Sequence, residues 1–182
     1  MPRLFTALTL PDPARTWLST LRGGLRAARW IDPENYHITL RFIGDVDRHI
    51  AHDAADALNQ IARAPFEVRL TGLDSFGGRK PHSIFARVEP CPPLIELQAE
   101  QERRLQRLGL PPESRRFTPH VTIARVKGAT APAIADWLAA RGGFSVPPFE
   151  ANHFALLSSK DSVGGGPYIT EHEYKLDYAQ AA

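Results

Sequence analysis

The sequence predicts an α+β fold: two duplicated lobes of the β-α-β-α-β type, their antiparallel sheets facing a central cleft across a pseudo-twofold axis. Three observations carry that prediction. Alternating apolar and polar stretches interleave with stretches of helical periodicity along the whole chain. Tyr36-His37-Ile38-Thr39-Leu40 is echoed by Pro119-His120-Val121-Thr122-Ile123, 83 residues later. Pro65-Phe66-Glu67 is echoed by Pro148-Phe149-Glu150 at the same offset. Chance could supply either match alone, but two landmarks in one register, with a helical segment between them each time, mark a repeated module.

The elements follow from local pattern. Arg3 to Leu10 alternates and stops at Pro11 and Pro13, so it reads as a strand. Ala14 to Ala28 carries Trp17, Leu18, Leu21 and Leu25 at helical spacing. A loop over Trp30 to Asn35 leads into a strand over Tyr36 to Ile43, ended by Gly44-Asp45. Asp47 to Ala64 is a helix with Ile50, Ala54, Leu58 and Ile61 on one face. Phe66 to Leu73 and Ser83 to Glu89 read as strands, with Gly77-Gly78 between them. The second series runs in the same order: a helix over Leu94 to Leu108, a strand over His120 to Val126 and a helix over Ala131 to Ala140. Strands over Phe149 to Leu157 and Tyr168 to Leu176 flank the Gly164-Gly165-Gly166 run. Phe5 and Phe85 open the two halves at a looser offset.

Composition narrows the class. The chain has 182 residues, 43% apolar and 23% charged, which excludes a disordered tail, a collagen-like fibre and a disulfide-dense mini-protein. No apolar run approaches the ~20 residues a bilayer requires, and the start lacks the pattern of a secretory signal. One cysteine, Cys91, makes no internal disulfide and is too few for a thiolate zinc site. A reducing cytoplasm is the expected compartment and a monomer the expected state. Net charge is only +2, but 18 of the 22 basic residues are arginine, whose planar fork grips phosphate. Compositional bias toward Ala, Pro and Arg accounts for most of them, so charge alone identifies no nucleic-acid partner.

The chemistry lies in the echoed strands. Side chains at i and i+2 share a strand face, so His37 and Thr39 point together, as do His120 and Thr122. Imidazole exchanges protons near neutral pH, and a hydroxyl donates to an anionic oxygen without adding charge. Two such pairs across a phosphate provide a base, an acid and two oxygen clamps, enough for in-line displacement at phosphorus without a metal or other cofactor. A lone His-x-Thr strand is ordinarily a surface or core histidine; its duplication in register favours the catalytic reading. His49 and His52, at i and i+3 beside Asp53, read as a solvated helix face, and His82, His153 and His172 show no partner in the sequence.

These motifs, with their flanks, resemble the two-histidine phosphoesterases, and within them the RNA 2′,3′-cyclic phosphodiesterases also called 2′-5′ RNA ligases. The matching residues are Arg3-Leu-Phe, His37-Ile-Thr-Leu-Arg-Phe-Ile-Gly44 and Phe117-Thr-Pro-His-Val-Thr-Ile-Ala-Arg125, together with the strand over Tyr168 to Leu176. The likeness spans nearly the whole chain. It implies a single bilobal domain over residues 1–182, with motif-bearing modules over about 30–76 and 113–158 and terminal strands exchanged between the halves. It implies hydrolysis of an RNA or nucleotide 2′,3′-cyclic phosphate end to a 2′-phosphate with a free 3′-hydroxyl, and a minor reverse ligation forming a 2′-5′ link. His120 would be the proton acceptor that activates water, His37 the proton donor to the departing 3′-oxygen, and Thr39 and Thr122 the holders of the non-bridging oxygens. The symmetry of the motifs does not itself distinguish the two histidines.

The resemblance also places Phe42 and Arg125, each five residues after its histidine, near the nucleotide. Regular alternation sends a fifth residue to the opposite face, so either the strands end or bulge there, or these residues lie away from the site. On this reading Phe42 goes to the core and Arg125 to the site. Arg41 reads as a solvated edge, and Arg115-Arg116 as loop residues able to attract an RNA backbone. The family often has an acidic residue in its first strand where this chain has Thr9. Two rival functions stand beside the hydrolase: a non-catalytic nucleotide- or RNA-binding module, and a two-histidine enzyme acting on small cyclic phosphates.

Overall fold

A computed structural model describes residues 3–159 and 165–177; Met1, Pro2 and Gly164 of the glycine run lie outside them. In chain order the elements are β1 (Arg3–Thr9), α1 (Asp12–Ser19), β2 (Ala28–Trp30), a 3-10 turn (Pro33–Asn35), β3 (His37–Asp45), α2 (Arg48–Asn59), β4 (Phe66–Val68) and β5 (Leu70–Phe76). They continue with β6 (Ser83–Val88), α3 (Pro92–Arg107), β7 (His120–Val126), α4 (Ala131–Ala139), β8 (Phe149–Ala151), β9 (His153–Ser159) and β10 (Tyr168–Lys175). The repeat is visible in the boundaries. Shifted by 83 residues, β3, α2, β4 and β5 start where β7, α4, β8 and β9 start; shifted by 80, β1 and α1 start where β6 and α3 start.

Seven strands run in the order β10-β9-β1-β3-β7-β6-β5, every neighbouring pair antiparallel, and β2 pairs with β7 as an eighth. The two halves of this sheet touch through one bridging pair, Ile38↔Val121 on β3 and β7. Beyond it β3 leaves β7, and β2 takes over that edge in the register Ala28↔Val126, Arg29↔Arg125, Trp30↔Ala124. A separate two-stranded ribbon joins β4 to β8.

One hydrophobic core lies beneath both halves. It joins Leu4, Leu8, Ile38 and Leu40 from one half-sheet and Ile84, Val121 and Ile123 from the other to Leu18, Leu58, Leu94, Leu97, Ile134 and Trp137 from the four helices. Each fully buried side chain of this kind contributes ~1.5–3 kcal/mol. A smaller cluster of Phe5, Ala7, Ala155 and Leu157, with Tyr168 packed on it, sits on the opposite face of the β1–β9 pair. Helices therefore cover one face, and the other is left for the site.

Several sequence expectations are shorter in the structure. The helix expected over Ala14 to Ala28 ends at Ser19, because Gly23 and Gly24 take positive φ and turn the chain; Leu21 is buried from that turn rather than from a helical face. The strand expected over Phe66 to Leu73 divides into β4 and β5, and its echo over Phe149 to Leu157 divides into β8 and β9. The helix caps are duplicated too. Asp47 accepts from the Ile50 N–H at the start of α2, and Thr130 from the Ala133 N–H at the start of α4. Asp47→Ala and Thr130→Ala should each lower unfolding free energy by ~1 kcal/mol. Urea denaturation should show the two losses adding in the double variant, since the helices are independent; a non-additive pair would mean the caps share a structural effect.

Candidate active site

The register of the single β3–β7 bridge determines what meets across the seam. With Ile38 opposite Val121, His37 comes opposite Thr122 and Thr39 opposite His120. Ile38 and Val121 are both fully buried in the core, so their neighbours on either side project from the opposite, helix-free face. Both imidazoles and both hydroxyls thus share one surface.

Two bulges bring further residues onto it. In the β1–β3 ladder Thr6↔Arg41 is followed by Ala7↔Thr39, leaving Leu40 without a partner. In the β6–β7 ladder Ile84↔Ala124 is followed by Phe85↔Thr122, leaving Ile123 without one. Leu40 and Ile123 are equivalent in the repeat, and each extra residue reverses the alternation beyond it. Phe42, opposite Phe5, and Arg125, opposite Ser83, consequently return to the histidine face. This corrects the expectation for Phe42, which is not core but 42% exposed, stacked on Phe5 with ring centroids 6.1 Å apart. Arg125 is exposed on the histidine face. Arg41 is corrected as well. The bulge turns it toward the helices, where it is buried, donates to the Phe42 and Pro111 carbonyls and pairs with Glu102 of α3. Burial pushes the Glu102 carboxyl up, but donors from Gln106 and the Glu113 N–H, with the Arg41 charge, outweigh that and hold it low.

Each imidazole is held the same way. His37 Nδ1 lies 2.8 Å from the Asn35 carbonyl and His120 Nδ1 2.7 Å from the Thr118 carbonyl, in each case two residues back. A carbonyl only accepts, so Nδ1 carries the proton and Nε2 keeps its lone pair in the neutral ring. The Thr39 hydroxyl donates to His37 Nε2 at 3.0 Å. Aromatic walls orient both rings. Phe5 and Tyr168 pack against His37, each at 5.1 Å, while Phe85 and Phe76 pack against His120 at 5.1 and 4.9 Å. Phe5 and Phe85 are the pair that opens the two halves, a signal for these walls that the sequence carried; Tyr168 and Phe76 had none.

Burial lowers the His37 pKa to about 4, the Asn35 carbonyl opposes the shift, and the charges of His120 and Arg125 add to it. Burial also lowers that of His120, partly offset by the Thr118 carbonyl and reinforced by Arg125. Arg125 acts on both rings. His153, for which the sequence shows no partner, has two in the fold: its Nε2 lies 2.8 Å from the Thr9 hydroxyl and its Nδ1 2.7 Å from Asn152 Oδ1. Thr9, opposite His37 in β1, is thereby tied to β9. His49 and His52 face Asp53 and Asp56 on the exposed side of α2. Arg115 and Arg116 are exposed in the segment before β7. Among the described residues, no group of three or more His, Cys, Asp or Glu side chains could hold a metal ion.

Comparison with known proteins decides the family. The model of the 2′-5′ RNA ligase superfamily matches residues 10–162. The chain belongs to this superfamily. Among its relatives are an RNA 2′,3′-cyclic phosphodiesterase of Aeropyrum pernix, 35% identical over 80% of this chain and 84% of that one, and another of Aquifex aeolicus, 30% identical over 81% of each. TT0787 of Thermus thermophilus superposes with a TM-score of 0.78 at 26% identity, covering 96% of this chain and 97% of that one. E. coli LigT in its apo form shares the fold, with a TM-score of 0.76 at 22% identity over 97% of this chain and 98% of that one. The bilobal α+β architecture is thus that of the superfamily.

The neutral state of His37 has a cost in acid. Its pKa lies below the unfolded value of 6.5, so the unfolded chain binds the proton more readily between about pH 6.5 and 4. The stabilisation is complete above pH 6.5 and is lost as pH falls toward 4, a loss of about 3 kcal/mol. His37→Gln should flatten the pH dependence of unfolding free energy in that window; parallel curves for the two proteins would contradict the assignment.

Proposed function

We propose that the protein hydrolyses 2′,3′-cyclic phosphate ends of RNA, opening the ring to a 2′-phosphate and a free 3′-hydroxyl by metal-independent acid–base catalysis. The observation that carries this reading is the meeting of His37, Thr39, His120 and Thr122 on one sheet face around a single bridging pair. Curated relatives bearing the name of that activity support it.

The step balances within the site. His120 Nε2 accepts a proton from water as the water oxygen bonds to phosphorus. The bond from phosphorus to the 3′-oxygen breaks in line, and His37 delivers a proton from Nε2 to that oxygen. Thr39 and Thr122 donate to the two non-bridging oxygens, the Thr39 hydroxyl turning from His37 as the anion enters. Burial holds His37 neutral; the negative phosphodiester would supply the field that lets it take up the proton it delivers. Phe42 offers its exposed ring to the base, and Arg125 supplies positive charge beside both imidazoles. Reversal, with an RNA 5′-hydroxyl in place of water, would form a 2′-5′ link as a minor activity.

Product analysis on RNA with a 2′,3′-cyclic phosphate end tests the reading. Ring opening to the 2′-phosphate is expected, and turnover undiminished by EDTA. Binding without product would favour the non-catalytic module, and faster turnover of cyclic mononucleotides than of oligonucleotides would favour a small-molecule enzyme. Replacing His37 or His120 by Ala should lower kcat by ~10²–10⁴-fold with the fold intact. Full activity in either variant would overturn the mechanism.

The pH dependence follows from the environment of the pair. The productive form carries one proton on two imidazoles, and both pKa values are lowered. The kcat/KM profile should therefore be bell-shaped with its maximum below pH 6.5. Because Arg125 lowers both, Arg125→Gln should move both limbs to higher pH. A profile that keeps its position in that variant would remove Arg125 from the site.

A further inference from the structure

The bulge that sends Phe42 to the histidine face is backed by a buried polar clamp. Arg41, the residue just before Phe42, is 5% exposed on the helix side of β3. Its guanidinium donates to the carbonyl of Phe42 itself and to that of Pro111, and it pairs with Glu102 of α3. Glu102 also accepts from Gln106 Nε2 at 2.6 Å and from the Glu113 N–H at 3.0 Å. The preceding residue of α3, Gln101, is fully buried and accepts at Oε1 from the hydroxyl of Thr6, the cross-strand partner of Arg41 on β1. Two consecutive residues of one helix thus hold both strands of the bulge, Gln101 through Thr6 and Glu102 through Arg41.

The other half of the molecule provides the comparison. Leu40, Arg41 and Phe42 correspond to Ile123, Ala124 and Arg125 at the offset of 83 residues, and β7 carries its bulge at Ile123. There the residue before the site-facing one is Ala124, opposite Ile84, and both are fully buried in the apolar core. A bulge of this kind therefore needs no ion pair beneath it. A buried ion pair also adds little stability, because desolvation of the two charges offsets their attraction. What the pair supplies is direction. A planar fork held by a carboxylate and by two carbonyls fixes the peptide that follows Phe42. The contrast between the halves matches what each bulge presents. Beyond the apolar one stands Arg125, whose charge acts at a distance on both imidazoles. Beyond the clamped one stands the Phe42 ring, and a flat ring acts only in contact and in a preferred orientation.

From this contrast we propose that the Arg41–Glu102 pair is a positioning device for base recognition, locking the bulge of β3 so that the Phe42 ring is held toward the nucleotide base. Affinity for the base, as distinct from the phosphate, then depends on two residues that touch no ligand. The proposal rests on the phosphodiesterase reading for the placement of the base on Phe42. Its test is equilibrium binding, which needs no turnover, so failure of the clamp is distinguishable from failure of the hydrolase reading, which product analysis decides.

The probes are adenosine 2′-phosphate and methyl β-ribofuranoside 2-phosphate, which carry the same phosphate and differ in the base. Both are titrated calorimetrically against the full chain, and the quantity read is the ratio of their dissociation constants. The adenosine compound should bind at least about fivefold more tightly, the worth of one base stacked on an aromatic ring. Replacing a buried ion pair by apolar residues of similar volume leaves a fold intact, so the test variant is the double substitution Arg41→Met with Glu102→Leu. Its ratio should fall to within about twofold, with circular dichroism unchanged. Arg41→Lys, which keeps the charge but loses the fork, should give an intermediate ratio. In a Phe42→Ala background the double substitution should cause no further fall, because the clamp acts through that ring. A wild-type ratio near one, a ratio that either folded Arg41 variant leaves at its wild-type value, or a further fall in the Phe42→Ala background would overturn the proposal.

Discussion

The site depends on one contact, the pairing of Ile38 with Val121. It is the sole bridging pair joining β3 to β7 among the described residues, and both side chains are fully buried in the core beneath the sheet. Pairing fixes register, and register fixes faces. A slip of either strand by one residue would turn that strand's histidine and threonine into the core. Burial of Ile38 and Leu40 on β3 and of Val121 and Ile123 on β7 opposes such a slip, because it would expose that strand's apolar pair in exchange for polar groups. Hydrophobic packing on the helix side thus specifies the polar arrangement on the other.

Duplication makes that arrangement symmetric down to its supports. Each imidazole anchors its Nδ1 on the carbonyl two residues back, each has a phenylalanine from a paired neighbouring strand at 5.1 Å, and each strand carries a bulge at the equivalent residue. Symmetry suits a displacement in which one face of a phosphate gains a proton acceptor and the other a donor. The environments are nonetheless unequal. His37 has its Nε2 engaged by Thr39 and is held neutral to about pH 4, with the charge of His120 acting on it. His120 is lowered by burial and by Arg125, partly offset by the Thr118 carbonyl. The protein environment thus favours the neutral form of His37, and the proton it would deliver in the proposed reaction has to be stabilised there by the entering anion.

Much of this was legible in the sequence, and the remainder was hidden for identifiable reasons. His-x-Thr at a fixed offset gave the quartet, since a strand period of two needs no tertiary information. Apolar spacing placed α2, α3 and α4 to within a few residues of their starts, whereas the end of α2 was overrun because Ile61 continues that spacing after the helix stops. The faces of Arg41, Phe42 and Arg125 could not be read, because a bulge adds a residue without leaving a compositional mark: Leu40-Arg41 and Ile123-Ala124 look like ordinary strand. β2 is three residues long, too short for periodicity, yet it carries Arg29 into line with Arg125. The bond from Thr9 to His153 joins residues 144 apart and depends wholly on the pairing that lays β9 beside β1.

The measurement that bears most directly on the shared site is a nitrogen-15 NMR titration of the histidine rings with adenosine 2′-phosphate. A single phosphate flanked by both rings should perturb the Nε2 signals of His37 and His120 together, along one binding curve with one dissociation constant, while His49 and His52 stay unmoved. Response of only one of the two rings, or of both with unrelated affinities, would mean that they do not address the same phosphorus atom.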